Sequence, residues 1–409
     1  MKIAVLTPFY DPSVGGVQET MRVFAEYFAS NGCQVAVFTS QCLGIDQASR
    51  RFFRSVHPLH PVQTRSHVEV HRFPYGGLGD GMRQIFSRVG YKFGEPFRSI
   101  THDWHISNLL RLSQMEREII LYQPDVLLVS PGTAGLMRTA SAVKKKLKCK
   151  VAVHPALHLS DTYSLDGARV TGALRVADLL LVNTDYEKQY IASRGIQAPA
   201  IWPTAVGIDV DHFTAPLMQK PDQRVLNRLE GKRYVLFFGR KEGGKGVAAL
   251  LEAFRRVRRD YPEAHLVLAG QETDFYRSKV IPQLEGKTYA HSLGDVDFAT
   301  KKWLYENAVV FCMVSSVDSF GIVYCESWLS RRPVIAADTA QMRGVVEPGV
   351  DGYLVDAADT DALAEKIMIF LSDSDLAARM GEAGYKKVLN YFGGHAVEKK
   401  VLELLSTMV

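Results

Sequence analysis

The sequence predicts an α/β protein built of two doubly wound domains, each around a mostly parallel sheet. Apolar stretches of strand length alternate with stretches of helical periodicity along almost the whole chain. The 409 residues are too many for one ordinary core and suit two domains. A strand, a glycine-bearing loop and a helix open the chain, and the same order begins again near residue 233. We therefore predict one domain over 1–205, a second over 206–390, and a helix over 391–409 that crosses back to the first.

The first domain is predicted to begin with an apolar, β-branched strand and an amphipathic helix. Apolar residues recur at helical spacing from Val17, and Gly32 follows the end of that helix. Thr184 lies in a sequence typical of a helix start. The predicted strands are 2–6, 34–39, 68–72, 125–129, 150–153 and 177–182, and the predicted helices are 17–28, 105–122, 133–147 and one ending at 193.

Three stretches of this half lack a clear period. Residues 41–66 predict a loop or an insertion. Residues 75–100 are glycine-rich, basic and aromatic, and could equally line a ligand groove, lie on an anionic membrane surface, or form core helix with exposed arginines. Residues 198–204 predict the exit from the first domain.

The second half repeats the alternation after a polar, linker-like stretch at 214–231. Residues 308–313 form a buried strand pattern, and the pattern becomes helical just after Phe320. The tail over 361–409 is helical, with breaks near 372 and 393–394. Other predicted elements are the strands 233–238 and 265–269 and the helices 247–258 and 298–305.

Composition excludes several classes of protein. With 47% hydrophobic and 23% charged residues, wholesale disorder is excluded. No apolar run approaches the 18 residues or so of a membrane span, and the first apolar run is too short for a signal peptide. The net charge of +5 permits an anionic substrate or membrane surface, and no nucleic-acid-binding signature is found. Five scattered cysteines predict reduced thiols and a cytoplasmic protein, either free or peripheral at the inner membrane face.

A basic, glycine-rich loop follows the first strand of the second domain. Its cations Arg240, Lys241 and Lys245 lie beside flexible backbone at a helix start, which suits a phosphate or diphosphate. Residues 239–245 also match G-x-x-x-x-G-K, the start of a P-loop. The Ser or Thr that would hold magnesium is replaced by Gly246, which argues against an ATPase or kinase.

Two carboxylates flank the strand-to-helix turn after 308–313. Asp318 precedes the helix and Glu326 lies inside it. Eight helical residues span roughly 12 Å, more than the about 5–10 Å of a glycosidase acid–base pair. We therefore predict separate roles, each carboxylate accepting hydrogen bonds from hydroxyl groups of one long ligand.

These motifs resemble those of the retaining glycosyltransferases of family 4, which have the GT-B fold of two Rossmann-like domains facing a central cleft. The family's Gly-Arg…Lys-Gly loop corresponds to 239–246, and its Glu-x7-Glu motif corresponds to 318–326. Asp318 stands where the family usually has Glu, which keeps the charge and shortens the reach by one methylene. The resemblance covers nearly the whole chain except 41–120, and it continues through 15–18, 206–209, Phe213, 333–337 and 349–355.

The resemblance implies a role for each matching residue. Arg240 and Lys245 would bind the donor diphosphate and stabilise it as it leaves. Asp318 would contact the transferred sugar, and Glu326 would accept the ribose hydroxyls. Leu293 and Gly294 would contact the base. Backbone N–H groups near Phe320, Gly321 and Ile322 would bind the sugar and the phosphate. Gly16, with Gly15, would let the loop of the first domain approach the phosphate.

His154 ends a predicted strand where the family has a histidine that touches the donor sugar. His158 is the rival for that place, and a satisfied, partly buried histidine is the interpretation that the residues alone favour. A metal pair of the two is disfavoured because no third ligand has suitable spacing.

The resemblance implies a metal-independent enzyme without a cofactor. Its co-substrate would be a nucleotide sugar, with a UDP-sugar favoured and a GDP-sugar as the alternative. The DxD-like pairs at 209–211 and 295–297 are discounted as metal sites, since Asp297 suits a helix N-cap. The acceptor would be a glycan, a lipid-linked glycan or a small molecule. Because the family binds its acceptor in the first domain, residues 75–100 could line the acceptor groove, and peripheral membrane contact through them is the open alternative. The sequence leaves two alternatives: a P-loop phosphotransferase and a catalytically silent sugar-nucleotide-binding protein.

Overall fold

The computed structural model describes residues 1–13, 15–41, 62–73, 112–157, 172–196, 200–204, 206–393 and 395–409. They form two compact units, one of residues 1–208 with 395–409 and one of residues 209–394. The stretch 75–100 and His158 lie outside the described residues, so the predictions made for them are not tested.

The first domain contains an eight-stranded sheet of order β3-β4-β2-β1-β5-β6-β7-β8. The β3–β4 pair is antiparallel, and the other described pairs are parallel. The apolar residues of its central strands β1 and β5 are fully buried, as their near-continuous apolar runs predict. The strands are β1 (Lys2–Leu6), β2 (Gln34–Ser40), β3 (Val62–Arg65), β4 (Val68–Phe73), β5 (Val126–Val129), β6 (Lys150–Val153), β7 (Leu179–Val182) and β8 (Ala200–Pro203).

The second domain contains a six-stranded parallel sheet of order β11-β10-β9-β12-β13-β14. Chain order runs outward in both directions from the middle pair, β9 and β12. This pair marks the topological switch point, where open α/β sheets bind their ligands. The strands are β9 (Tyr234–Phe238), β10 (His265–Ala269), β11 (Ala290–Ser292), β12 (Val310–Met313), β13 (Val334–Ala337) and β14 (Gly352–Val355).

Helices follow most of the strands, which confirms the predicted alternation. The last helix packs against the first within one domain, with the rings of Tyr27 and His395 5.1 Å apart. No described helix is both long and apolar enough to cross a bilayer. The helices are α1 (Gly16–Ser30), α2 (Leu112–Tyr122), α3 (Ala134–Leu147), α4 (Asp185–Ser193), α5 (Val210–Thr214), α6 (Gln223–Leu229), α7 (Val247–Asp260), α8 (Ile281–Leu284), α9 (Phe298–Glu306), α10 (Ile322–Leu329), α11 (Thr360–Ser372), α12 (Ser374–Lys387) and α13 (Ala396–Ser406).

Three stretches contain short elements that were not predicted, and the predictions of a loop at 62–65 and of a linker at 214–231 are wrong. Residues 62–65, predicted as loop, form β3, which pairs with β4 across a turn with positive φ at Ser66 and His67. Residues 200–203, in the stretch predicted as the exit from the first domain, form the edge strand β8, which was not predicted as a strand. The predicted linker 214–231 contains α6. Strands of four residues and a two-turn helix are too short for their hydrophobic period to be distinguished.

Candidate functional site

The predicted donor-site residues of the second domain lie on loops after β9, β11 and β12 and on helix α10, which follows β12, and the loop after β10 lies between them. The phosphate loop, residues 239–246, follows β9, and the stretch 314–321 follows β12. Residues 270–273 follow β10, and residues 293–294 follow β11. Since all four strands are parallel, their carboxyl ends share one edge of the sheet. The fold thus gathers residues from distant parts of the sequence at the switch point.

The phosphate loop is fixed to the stretch after β12. The Ser316 N–H donates to the Gly244 carbonyl at 2.9 Å. Gly246 has φ of 75°, and a Cβ placed there would lie 2.4 Å from the Val314 carbonyl oxygen. Only glycine satisfies both the left-handed backbone and this close approach. The position that a P-loop fills with Ser or Thr therefore has no room for a side chain.

Lys245 and Asp318 form an ion pair with each other. Their side chains are 15% and 12% exposed, so solvent screens the pair only partly. The sequence predicted two residues that each face the ligand, and it gave no sign of this pairing, because 73 positions separate them. A ligand diphosphate would have to share Lys245 with Asp318.

The cations of the phosphate loop do not all face the same way. The Arg240 side chain is 45% exposed and donates to Glu242 Oε1 at 2.9 Å. The Lys241 side chain is fully buried, with 0% exposure. The prediction of three cations along the loop is therefore wrong for Lys241, whose ammonium group binds interior carbonyl groups instead.

Helix α10 begins at this site without a side-chain cap. Gly321, with φ of 81°, precedes the helix, and no side chain among the described residues caps its first turn. Phe320 is buried and packs edge-on against Phe392, with ring centroids 5.1 Å apart. The first N–H groups of α10 are therefore candidates for binding a ligand, and the helix dipole makes this end favourable for an anion.

Glu326 is buried, as the apolar helix around it predicted, and is not unpaired. Its side chain is 11% exposed and forms an ion pair with Lys301 of α9. Tyr305 lies close by: burial, and then the charge of Glu326, raise the pKa of its phenol. Sequence reasoning missed Lys301, since its partner is on another helix 25 positions away.

Leu293 and Gly294, predicted to hold the base, are fixed by hydrogen bonds. The Leu293 N–H donates to the Leu268 carbonyl at 2.9 Å, and the Gly270 N–H donates to the Gly294 carbonyl at 3.0 Å. The Leu293 carbonyl accepts from Lys241 Nζ at 2.7 Å. The strand end is therefore held on both sides by the loops after β10 and β9.

The discounted DxD-like pairs lie at helix starts. Asp297 accepts from the Thr300 N–H at 2.7 Å and caps α9, as predicted. Asp209 accepts from the His212 N–H at 2.8 Å and caps α5. Within the described residues, no group of three or more His, Cys, Asp or Glu side chains is placed to hold a metal ion.

The remaining predicted residues belong to the first domain. Gly15 and Gly16 start α1 after β1, and a Cβ on Gly15 would lie 2.4 Å from Gln18 Oε1. His154 is buried at the carboxyl end of β6. Its Nδ1 lies 2.8 Å from Ser130 Oγ, and its Nε2 lies 2.8 Å from Asn183 Oδ1.

These contacts define the state of His154. Asn183 Oδ1 can only accept, so Nε2–H donates to it, and Ser130 donates to Nδ1. Burial lowers the pKa of the ring, which favours this neutral form. Both ring nitrogens are thus engaged within the first domain, and contact with a donor sugar stays a prediction.

Sequence reasoning missed a buried carboxylate, Glu187, which binds the backbone of Asn183, the partner of His154. Glu187 accepts from the Asn183 N–H at 2.7 Å and from the Leu157 N–H at 3.0 Å. Burial raises the pKa of this carboxyl to about 7. The sequence around Thr184 signalled only a helix cap, which the structure confirms.

Comparison with known proteins gives matches in sequence and in structure. A family model described as glycosyl transferases group 1 matches residues 218–387. The phosphatidyl-myo-inositol mannosyltransferase of Mycobacterium leprae is 30% identical over 226 residues, which cover 54% of this chain and 56% of that protein. The chain thus spans about half the length of the curated relatives that it resembles at this level.

Solved structures match over the full length. Sucrose-phosphate synthase of Thermosynechococcus elongatus has a TM-score of 0.78 at 18% identity, covering 100% of this chain and 98% of that chain. Anabaena HepE in complex with UDP and glucose has a TM-score of 0.72 at 17% identity, covering 100% of both chains. At such identities the likeness shows a shared fold.

Proposed function

We propose that this chain, whose residues 218–387 match the model of the group 1 glycosyl transferases and whose fold resembles that of sucrose-phosphate synthase, is a retaining glycosyltransferase of the GT-B fold that uses a nucleotide sugar. One observation carries the proposal. The cations Arg240 and Lys245 follow β9, Asp318 and the uncapped start of α10 follow β12, and these two strands form the switch point of the second sheet, where Lys245 pairs with Asp318. A diphosphate that carries a sugar offers the matching groups, anionic oxygens and hydroxyls.

UDP is the favoured nucleotide of the donor. The structure of HepE, which shares the fold, is described as a complex with UDP and glucose. In the proposed arrangement Leu293 and Gly294 contact the base, and Glu326 accepts the ribose hydroxyls. Asp318 accepts hydrogen bonds from the transferred sugar.

Leaving-group stabilisation is the proposed source of rate enhancement. Negative charge develops on the departing diphosphate, and preorganised cations stabilise such a change. Arg240, Lys245 and the N–H groups of α10 supply that field, and we propose that the enzyme needs no metal. Activity that disappears with a chelator and returns with magnesium would contradict this part of the proposal.

Retention is proposed to occur by attack on the same face of the sugar, with the departing phosphate taking the acceptor proton. This route requires no protein nucleophile. Trapping of a covalent glycosyl group on any side chain would refute it.

The acceptor is proposed to be a hydroxyl group of a glycan, a lipid-linked glycan or a small molecule, in polysaccharide or glycoconjugate synthesis. The name of the mycobacterial relative makes phosphatidylinositol a first acceptor to try. Cytoplasmic location and membrane contact stay predictions from the sequence.

Replacing Lys245 by alanine tests the proposal. Release of nucleoside diphosphate from the donor should fall by at least about tenfold, since one hydrogen bond to a charged group is lost. The exposed Lys279 of the same domain gives a matched control, Lys279→Ala, with unchanged activity expected. Equal activity of wild type and Lys245→Ala would refute the assignment of the phosphate loop.

A further inference from the structure

Lys241 is a fully buried cation that the proposed mechanism does not use. It neighbours the phosphate-binding Arg240, yet its side chain is fully buried. An ammonium group loses its hydration on burial, and only compensating partners make this tolerable. A methionine or leucine would fill such a site without that cost. The position of the Lys241 partners therefore indicates why a charge is kept there.

Its ammonium group binds the strand end predicted to hold the base. Nζ donates to the Leu293 carbonyl at 2.7 Å, and it lies 3.2 Å from Ser292 Oγ and 3.3 Å from the Leu268 carbonyl. The shortest of these bonds is to Leu293, one of the two residues proposed to contact the base. The ammonium group thus uses its donors on the ends of β10 and β11.

Two further side chains complete the surroundings of this ammonium group. Glu272 Oε1 lies 3.5 Å from Nζ, and the ring centroid of Tyr276 lies 4.3 Å away. The Tyr276 hydroxyl donates to Ser292 Oγ at 2.8 Å. Burial lowers the pKa of Lys241 to about 8, against the opposing charges of Glu272 and Asp295.

The backbone of Lys241 is fixed to the loop after β10. Its N–H donates to the Gln271 carbonyl at 2.8 Å, and its carbonyl accepts from Thr273 Oγ1 at 2.6 Å. In the same region a Cβ on Gly270 would lie 2.4 Å from the Gly239 carbonyl oxygen. One residue therefore ties together the loops after β9, β10 and β11.

We propose that Lys241 is a positioning residue for base recognition, which fixes Leu293 and Gly294 relative to the phosphate loop. The inference rests on the proposed function. A nucleoside diphosphate binds with its phosphates at one loop and its base at another, so selection among bases depends on how firmly the two loops are held together. Loss of the tie lets the base segment shift and accept other bases.

Calorimetric titration of the full chain with UDP, GDP and ADP tests this role. The wild type should prefer one of the three, and Lys241→Met should reduce the ratio of the best to the second-best affinity by about tenfold, the effect of one hydrogen bond to a charged group. The control Lys279→Met should keep the ratio. A uniform loss for all three nucleotides, or no change, would overturn the proposal, because a purely structural tie predicts equal effects.

Ser292→Ala covers the case in which Lys241→Met does not fold. It removes one partner of the ammonium group and should lower the same ratio by about threefold, with the melting temperature as the check on folding. An unchanged ratio in this variant would also overturn the proposal. If the wild type binds all three nucleotides equally, it does not select among bases, and the proposed role of Lys241 is overturned as well. A wild type that binds none of them contradicts the proposed function itself, and this is seen before any variant is made.

Discussion

Replacing Asp318 by asparagine (D318N) should strengthen the binding of UDP while it weakens the turnover of the UDP-sugar. In the structure Asp318 holds the ammonium group of Lys245 in an ion pair. The UDP diphosphate has to share that ammonium group, and it also meets the negative charge of the carboxylate. Asparagine removes the charge and keeps an oxygen that can accept a hydrogen bond.

The expected gain in UDP affinity follows from the strength of the hydrogen bond between Asp318 and Lys245. A hydrogen bond to a charged group contributes about 1.5–3 kcal/mol. Because the amide oxygen retains part of that bond, only a fraction of it becomes available to the diphosphate. We expect UDP to bind about three- to tenfold more tightly, which corresponds to roughly 0.7–1.4 kcal/mol.

The sugar end should respond in the opposite direction. Asp318 is proposed to accept hydrogen bonds from the transferred sugar, and an amide is a weaker acceptor than a carboxylate. We expect kcat/KM for the UDP-sugar to fall by about tenfold or more. Titration calorimetry gives the first quantity, and a coupled assay of UDP release gives the second.

The exposed Asp274 of the same domain provides the control, Asp274→Asn, with both quantities unchanged. Weaker binding of UDP to D318N would refute the reasoning, because Asp318 would then support the phosphate site instead of competing for Lys245. Unchanged turnover would refute the contact with the sugar.

Three further outcomes follow from buried or strained groups. Lys301→Met should lower the free energy of unfolding by about 2 kcal/mol, because it leaves the buried Glu326 without its cation. Melting curves of this variant and of the control Lys279→Met measure the loss, and a loss no larger than that of the control would contradict the prediction. Gly246→Ala should lower the melting temperature more than Gly286→Ala does. Both glycines have positive φ, but of the two only Gly246 would place a Cβ 2.4 Å from a carbonyl oxygen, and equal losses would contradict this close approach. The pKa of Glu187 is raised to about 7 in the folded state, so its contribution to stability is complete below its unfolded pKa and is lost as the pH rises towards 7. That loss amounts to roughly 3 kcal/mol; Glu187→Gln should therefore compare more favourably with the wild type at pH 8 than at pH 5 in thermal unfolding, and a pH-independent difference would contradict the raised pKa.

The fold could be predicted because its elements repeat a simple pattern. Strands such as β1 and β9 are apolar runs bounded by glycine-bearing turns, and helices such as α7 keep their apolar side at a regular spacing. The shortest elements, β3 and α6, do not contain enough residues for a period to emerge. They form because backbone pairing and packing stabilise them once the rest of the domain is folded.

The site was predicted as a set of residues and not as a set of contacts. The phosphate loop and the pair of carboxylates were identified from chemistry and spacing along the chain. The pairing of Lys245 with Asp318, and of Glu326 with Lys301, depends on which strands lie side by side, and no local pattern reveals it. The burial of Lys241 was unexpected for the same reason: a lysine in a glycine-rich loop normally faces solvent.

The most direct test of the account is a thermal-shift experiment with UDP-, GDP- and ADP-sugars on wild type, Lys245→Met and Lys279→Met. A ligand at 100 times its Kd adds about 2.7 kcal/mol to stability, or a rise in Tm of roughly 5–10 °C for the domain that binds it. The account predicts that a nucleotide sugar stabilises wild type and Lys279→Met to this extent and stabilises Lys245→Met much less. If no nucleotide sugar stabilises the wild type, or if Lys245→Met is stabilised equally, the proposed donor site is wrong.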